Sequence, residues 1–210
     1  MSKPFSLARR AVLVGGLIGM GAAPFLAAQA QAADPAETFV SQNIQRGLAL
    51  LNNKTLTPVQ RRDQFEQFLT GLTDLKRIAD FTLGNYRRSA SPADLQAFEV
   101  AFQNYAVAVY QYYFSRYSGQ TLKVTGSTQR AATDYIVATQ LLDPTKPQPL
   151  EVSFRVRTDG ARPVVTDVSV EGVWLSLQQR DQFVAFLGQN NGNIRLLVTH
   201  LSELAKQFKS

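Results

Sequence analysis

Hydrophobic residues in the first half of the chain recur every three or four positions, which is the spacing of one face of an α-helix. The pattern predicts helices over residues 35–53, from Thr57-Pro58 to about 72, over a short segment that stops at Gly84-Asn85, and from Ser91-Pro92 to about 117. Serine or threonine followed by proline favours a helix start, because the hydroxyl caps the helix and proline fits its first turn. The apolar stripes of the first two helices are Phe39, Val40, Ile44, Leu48 and Leu51, then Phe65, Phe68, Leu69 and Leu72.

The period changes to two after Ser118-Gly119, which predicts β-strands. Four segments alternate apolar and polar residues, at 122–124, 135–141, 152–156 and 164–170. Their short connections indicate an antiparallel meander. The charged residues that alternate with the apolar ones, including Asp167 and Glu171, are expected on the solvent side of the sheet.

Gly172 marks a bend after the last predicted strand, and Val173, Trp174 and Leu175 form an apolar group before two closing helices. Helices, then a sheet, then helices predict an α+β domain. We expect an antiparallel four-stranded curved sheet with helices packed on one face.

Residues 1–33 resemble an export signal. Lys3, Arg9 and Arg10 precede an apolar run, and two overlapping small-x-small cleavage sites lie at 28–32. The apolar run is shorter than the ~20 residues that span a bilayer. We therefore expect a cleaved signal over 1–33, by the general or the twin-arginine route, and a single domain over 34–210.

Charge and cysteine content narrow the function. Removing the three basic residues of 1–33 leaves 19 basic and 16 acidic residues, a net charge of +3. This mild charge argues against a nucleic-acid-binding protein, which would carry a concentrated basic face. The chain has no cysteine, so its core rather than disulfides must hold the fold.

Catalytic residue patterns are scarce. His200 is the only histidine, which excludes a histidine-cluster metal site, and no cysteine nucleophile is available. A carboxylate pair among Asp134, Asp143, Asp167 and Glu171 stays possible, although a solvated face is the favoured interpretation. The aromatic-rich helix that begins at Ser91 either packs a dense core or lines a cavity, and the pattern alone favours the dense core.

Several short motifs resemble the MlaC family of periplasmic phospholipid-binding proteins, which serve the Mla intermembrane transport system and are also called toluene-tolerance proteins. They are LGNYRRSASP (83–92), FEVAF (98–102), YSGQ (117–120), EGV (171–173) and QNNGNI (189–194). The resemblance covers essentially the whole chain after the signal. It implies a fold similar to the cone of nuclear transport factor 2, with an apolar cavity for acyl chains between sheet and helices, and no cofactor or metal.

The resemblance also implies candidate site residues. The expected lining is Phe81, Phe98, Phe102, Tyr105, Val109, Tyr135, Val137, Val152, Phe154, Val168, Val170 and Trp174. Arg87 and Arg88 are candidates for contact with a lipid phosphate or with an acidic partner, against the alternative of ordinary solvated arginines. Trp174 departs from the family pattern, which has a smaller or polar residue there.

The leading hypothesis is a monomeric, non-enzymatic carrier in the periplasm. It would exchange phospholipid with an inner-membrane ABC-type transporter complex and an outer-membrane lipoprotein complex. The bulky Trp174 keeps open a hopanoid or other flat lipid as the ligand. An isomerase or hydratase built on the same fold is the enzymatic alternative, and it would need a buried acid or a Tyr-Asp pair in the cavity.

Overall fold

The computed structural model describes residues 34–208, so the predicted export signal at 1–33 lies outside the described residues. The described chain is an α+β domain, as predicted. Its helices are α1 (Pro35–Leu51), α2 (Pro58–Leu72), α3 (Leu75–Thr82), α4 (Pro92–Ser115), α5 (Leu175–Gln189) and α6 (Ile194–Gln207), with a 3₁₀ helix over Gly84–Arg88. Its strands are β1 (Thr121–Ala131), β2 (Asp134–Leu142), β3 (Leu150–Arg157), β4 (Val164–Val170) and β5 (Val173–Trp174).

Helix starts follow the local sequence. The side chain of Thr57 accepts from the backbone N–H of Gln60, whose side chain accepts in return from the N–H of Thr57, and this capping box opens α2. Ser91 caps α4 through the N–H of Asp94. Asn193 caps α6 through two backbone N–H groups. These side chains satisfy N–H groups that have no partner inside the helix.

The strands form an antiparallel meander in the order β1-β2-β3-β4-β5. The prediction of four strands was one short, because the Val173–Trp174 segment pairs with Ser169 and Val170 of β4. The two residues of this turn, Glu171 and Gly172, have φ of 49° and 78°. Left-handed φ at both positions gives a hairpin turn whose twist matches that of the strands.

Bulges change which residues of β1 and β4 face the helices. The β3–β4 register shifts between Arg155 and Val156, so Val165 pairs with Val156 and is buried. Strict alternation along β4 predicts Val164 and Thr166, instead of Val165, on the face that packs against the helices. Two further shifts lie within β1, which runs to Ala131, beyond the short segment predicted. An extra residue in one strand reverses the parity of everything that follows it.

The buried apolar residues form two clusters. One lies between α1 and the sheet and contains Ala36, Val40, Val137 and Val156. The other lies entirely among α3, α4, α5 and α6, with no strand residue among its buried members. The first half of α4 packs with the helices, whereas Tyr110 and Phe114 of its second half lie between α2 and the sheet.

Both faces of the sheet are covered in part, whereas helices on one face were predicted. Asp167 of β4 is 8% exposed, because Ser176 at the start of α5 packs against it. Within residues 34–208, none of the helices combines the length and the apolar character that a membrane crossing requires.

Candidate functional site

An apolar cavity of about 200 Å³ lies between the sheet and the helices α1, α2 and α4. Its described lining contains no charged residue. The lining residues are Phe39, Val40, Asn43, Ile44, Gly47, Leu48 and Leu51 from α1, Phe65, Phe68, Leu69, Leu72 and Thr73 from α2 and its end, Tyr110 and Phe114 from α4, and Leu122, Phe154, Val165 and Val168 from the sheet. Such a surface suits a hydrocarbon ligand.

Two of the three polar side chains in this lining donate to backbone carbonyls of their own helix or its end. The amide of Asn43 donates to the carbonyl of Phe39 at 2.8 Å, and the hydroxyl of Thr73 donates to the carbonyl of Leu69 at 2.8 Å. Burial raises the pKa of Tyr110, so its phenol stays neutral at physiological pH. The cavity therefore offers neither a charged group nor a free acid–base pair.

A second space of about 390 Å³ adjoins the apolar cavity and shares Leu51, Phe65 and Phe114 with it. We call it the mouth cleft. Its remaining lining is mostly polar and consists of Pro58, Arg61, Arg62, Gln111, Ser115 and Tyr117. The uncharged interior thus borders a cationic rim, and the rings of Phe65 and Phe114, whose centroids are 3.8 Å apart, lie between the two.

Two of the twelve predicted lining residues, Phe154 and Val168, line the apolar cavity. Val137 is fully buried under α1, with Tyr135 packed against the same cluster. Val152 is buried, Val109 and Val170 are half-buried, and these three lie outside the described lining.

Three aromatic residues of α4 that were predicted to line the lipid cavity lie in the all-helical cluster. Phe98 and Phe102 pack against Phe183 in the all-helical cluster, with ring centroids 5.9 and 6.3 Å from that ring, and Tyr105 packs beside them. The cavity takes Tyr110 and Phe114 instead, because α4 turns a different face to the sheet in its second half.

Phe81 and Trp174 lie at another space, of about 320 Å³, that we call the arginine cleft. It contains Asp134 and Ile136, whose side chains alternate with the buried Val137 and so point to the opposite face of the sheet from α1. The predicted lipid contact of Phe81 and Trp174 is therefore not with the apolar cavity.

Ion pairs neutralise much of the arginine cleft. The guanidinium of Arg155 donates to both carboxylate oxygens of Asp134, at 3.0 and 2.7 Å, and holds the pKa of that carboxyl below its usual range. Arg157 lies 3.8 Å from Asp134 and donates to Asp159 at 2.6 Å. Paired in this way, Asp134 is a poor candidate for a general base.

Asp167 has a structural role that the alternation did not predict. Its carboxylate accepts from the backbone N–H of Ser176 at 3.0 Å, from the Ser176 hydroxyl, and from the N–H of Val168 at 2.9 Å. The N-cap residue of α5, Trp174, makes no side-chain cap. Asp167 thus caps α5 from a neighbouring strand, and its burial corrects the prediction of a solvated carboxylate.

Arg87 and Arg88 lie in the 3₁₀ helix between α3 and α4, where both are exposed. Arg87 donates to Asp80 at 3.1 Å. Neither arginine belongs to the described lining of the cavity or of the mouth cleft. Their placement argues against contact with the phosphate of a lipid held there and leaves two interpretations, contact with a partner or ordinary solvated arginines.

Sequence reasoning missed most of the cavity wall. The apolar stripes of α1 and α2 were identified, but they were not assigned to a ligand site. Their signal was present, since Phe39, Ile44, Leu48 and Leu51 recur at helical spacing, and so do Phe65, Phe68, Leu69 and Leu72. Among residues 34–208, no group of three or more histidine, aspartate or glutamate side chains has a metal-binding arrangement.

Comparison with known proteins places these features in context. Residues 41–203 match the family model described as MlaC protein. A solved structure of a phospholipid-binding protein from Ralstonia solanacearum, in complex with a phospholipid, has a similar fold with a TM-score of 0.72. It is 23% identical in sequence, and the match covers 84% of this chain and 100% of that one. A search of curated proteins gave no match.

Proposed function

Because the chain belongs to the MlaC family, we propose that it binds a phospholipid and carries it across the periplasm. It would exchange the lipid with an inner-membrane ABC-type transporter complex and an outer-membrane lipoprotein complex. The observation that carries the proposal is the uncharged apolar cavity between α1, α2, α4 and the sheet. A lipid needs such an enclosure, because its acyl chains are costly to expose to water.

The cavity volume gives the size of the driving force. An apolar cavity of about 150 Å³ takes a benzene molecule, so about 200 Å³ takes roughly eight carbon atoms. At about 0.8 kcal/mol for each buried methylene, eight carbons contribute about 6 kcal/mol. The roughly 30 methylenes of two acyl chains need more room. We therefore infer that α1 and α2 move outward from the sheet when the protein is loaded.

The absence of available catalytic groups in the cavity supports a carrier over an isomerase or hydratase. No charged residue belongs to its described lining. Asp134 is paired with Arg155, and Asp167 is fixed by Ser176. An enzyme of that type needs a buried acid or base that faces the substrate.

The case for a flat ligand is weaker than the sequence indicated. It depended on Trp174 narrowing the cavity, and Trp174 lies at the arginine cleft instead. We keep a hopanoid as an outcome of the test rather than as a second function.

Mass spectrometry tests the proposal directly. The full chain is expressed in a bacterium that exports it and purified without detergent, and its bound lipids are extracted with organic solvent. We expect near-stoichiometric phospholipid and an intact mass for a chain that begins near Asp34. A hopanoid would change the ligand class, and protein free of lipid would contradict the carrier function.

A further inference from the structure

We propose that the mouth cleft binds the phosphate group of the carried lipid, with Arg61 and Arg62 as its cationic partners. This inference deepens the proposed function and depends on it. It gives the cleft a ligand class, the phosphate ester of an amphiphile whose hydrocarbon chain enters the apolar cavity.

The division of charge between the two adjoining spaces is the first argument. The mouth cleft has two arginines and no carboxylate in its described lining, and the described lining of the apolar cavity has no charge at all. Leu51, Phe65 and Phe114 belong to both spaces. A molecule with an apolar tail and an anionic end matches this order of surfaces.

An unsatisfied donor on Arg61 is the second argument. Its Nη2 donates to the carbonyls of Asn53 and Leu56, at 3.0 and 3.4 Å, which fixes the guanidinium at the α1–α2 connection. Its Nε is buried and has no hydrogen-bond partner within residues 34–208. Buried donors of charged groups are costly when unpaired, so the guanidinium of Arg61 gains if an opening of the cleft lets an anionic acceptor reach this N–H.

Arg62 can add a second contact. Its partner is Asp63 at 3.5 Å, and the two side chains are 54% and 56% exposed. An exposed pair of this length is weak and competes little with a ligand. Arginine is also suited to phosphate, because its planar N–H groups can donate to two oxygens at once.

The arginines of the arginine cleft, on the other face of the sheet, differ from those of the mouth cleft in their carboxylate partners. Arg155 and Arg157 already donate to Asp134 and Asp159. A phosphate there would have to displace these carboxylates. At the mouth cleft it would compete only with the exposed 3.5 Å contact between Arg62 and Asp63, because Arg61 donates to backbone carbonyls.

A competition between two lipids tests the proposal. The purified full chain is incubated with vesicles that contain equal amounts of phosphatidylglycerol and of diacylglycerol with the same acyl chains. The protein is then re-isolated, and each bound lipid is quantified by mass spectrometry. Wild type should prefer the phosphate-bearing lipid by about tenfold or more, as expected for a charge-assisted hydrogen bond.

Three variants and one control separate the contributions. Arg62→Gln and Arg61→Lys should each reduce the preference several-fold, and the double variant Arg61→Gln/Arg62→Gln should abolish it while diacylglycerol uptake persists. Arg61→Lys keeps the charge but lacks the Nε donor, and the exposed Arg62 tests the idea if changes at Arg61 disturb folding. Arg130→Gln, an exposed arginine of the other cleft, should keep the wild-type preference.

The possible results are distinguishable. A preference that survives in the double variant, or no preference in wild type, overturns the phosphate site while leaving the carrier function intact. Uptake of neither lipid by wild type refutes the carrier function and this inference with it. Titration with inorganic phosphate should show at most millimolar affinity, and tight binding that requires Arg61 would assign the cleft to free phosphate instead.

Discussion

Filling the apolar cavity from its sheet wall should block lipid binding without unfolding the protein. Val168 of β4 lines the cavity and points towards α1 and α2 beside Phe154. Val168→Trp adds roughly seven non-hydrogen atoms, close to the eight carbons that the cavity takes. The variant should therefore lose up to about 6 kcal/mol of burial for the acyl chain, which is about four orders of magnitude in Kd.

The assay is a titration of the purified protein with a fluorescent phospholipid, together with extraction of the co-purified lipid. We expect the Kd to rise at least 100-fold, because ~3 kcal/mol is lost even if half the chain finds other contacts. The melting temperature should change little, since the ring fills a void instead of crowding a packed core. Val100→Trp is the matched control, because Val100 lies on α4 with 56% of its surface exposed. A folded Val168→Trp protein that retains lipid at the wild-type level would show that acyl chains bind elsewhere.

Three further predictions concern the partner surface, the folded state and acid stability. Changing both Arg87 and Arg88 to Glu should slow lipid transfer between membrane complexes while leaving bound lipid unchanged, and an unaltered transfer rate would remove them from the partner surface. Asp167→Ala should lower the free energy of unfolding by about 3 kcal/mol, or roughly 6–12 °C in melting temperature, because the Ser176 donors lose a buried acceptor; thermal unfolding that matches wild type would contradict this. Arg157 and Arg77 donate to Asp159 and lower the pKa of its carboxyl to about 2. The stability that the charged Asp159 contributes is therefore present above the unfolded pKa of about 3.9 and is lost as the pH falls towards 2. The gap in melting temperature between wild type and Asp159→Asn should therefore close between pH 5 and pH 2, and a gap independent of pH would refute the assignment.

Helices were predictable because their signals are local. The Thr57 and Ser91 caps act within three residues, and the stripes of α1 and α2 follow from spacing alone. The sheet was less predictable, because a bulge depends on the partner strand. Nothing in the sequence of β4 shows that the register shifts opposite Arg155. That shift nevertheless buries Val165 and reverses the face of the sheet to which the neighbouring side chains point.

The sequence allowed the kind of site to be predicted, an apolar cavity, but not the residues that line it. Periodicity identifies residues that share a helix face, and it does not identify what that face packs against. Phe98 and Tyr110 both lie on α4, but one enters the all-helical cluster and the other the cavity. The family resemblance pointed to a cavity over the sheet, while its walls depend on contacts between α1, α2 and α4 that no single stretch of sequence encodes.

The way the walls are anchored indicates which of them can open. The sheet wall is held by the backbone hydrogen bonds between its strands. The connection after α2 is tied to β4, because the N–H of Asp74 donates to the carbonyl of Val165 at 3.1 Å. Arg162, just before β4, donates to the carbonyl of Gly71. The first half of α4 is fixed by the all-helical cluster. The opposite ends of α1 and α2, near Leu51 and Pro58, border the mouth cleft. There they are held to α4 and its end by side-chain hydrogen bonds, from Asn52 to Tyr117 at 3.0 Å and from Gln111 to Glu66 at 3.4 Å, which an opening would break. Opening at this end, with the Gly71 end as a hinge, would enlarge the cavity at the rim where Arg61 lies, so that a chain could enter tail first and its phosphate would arrive last.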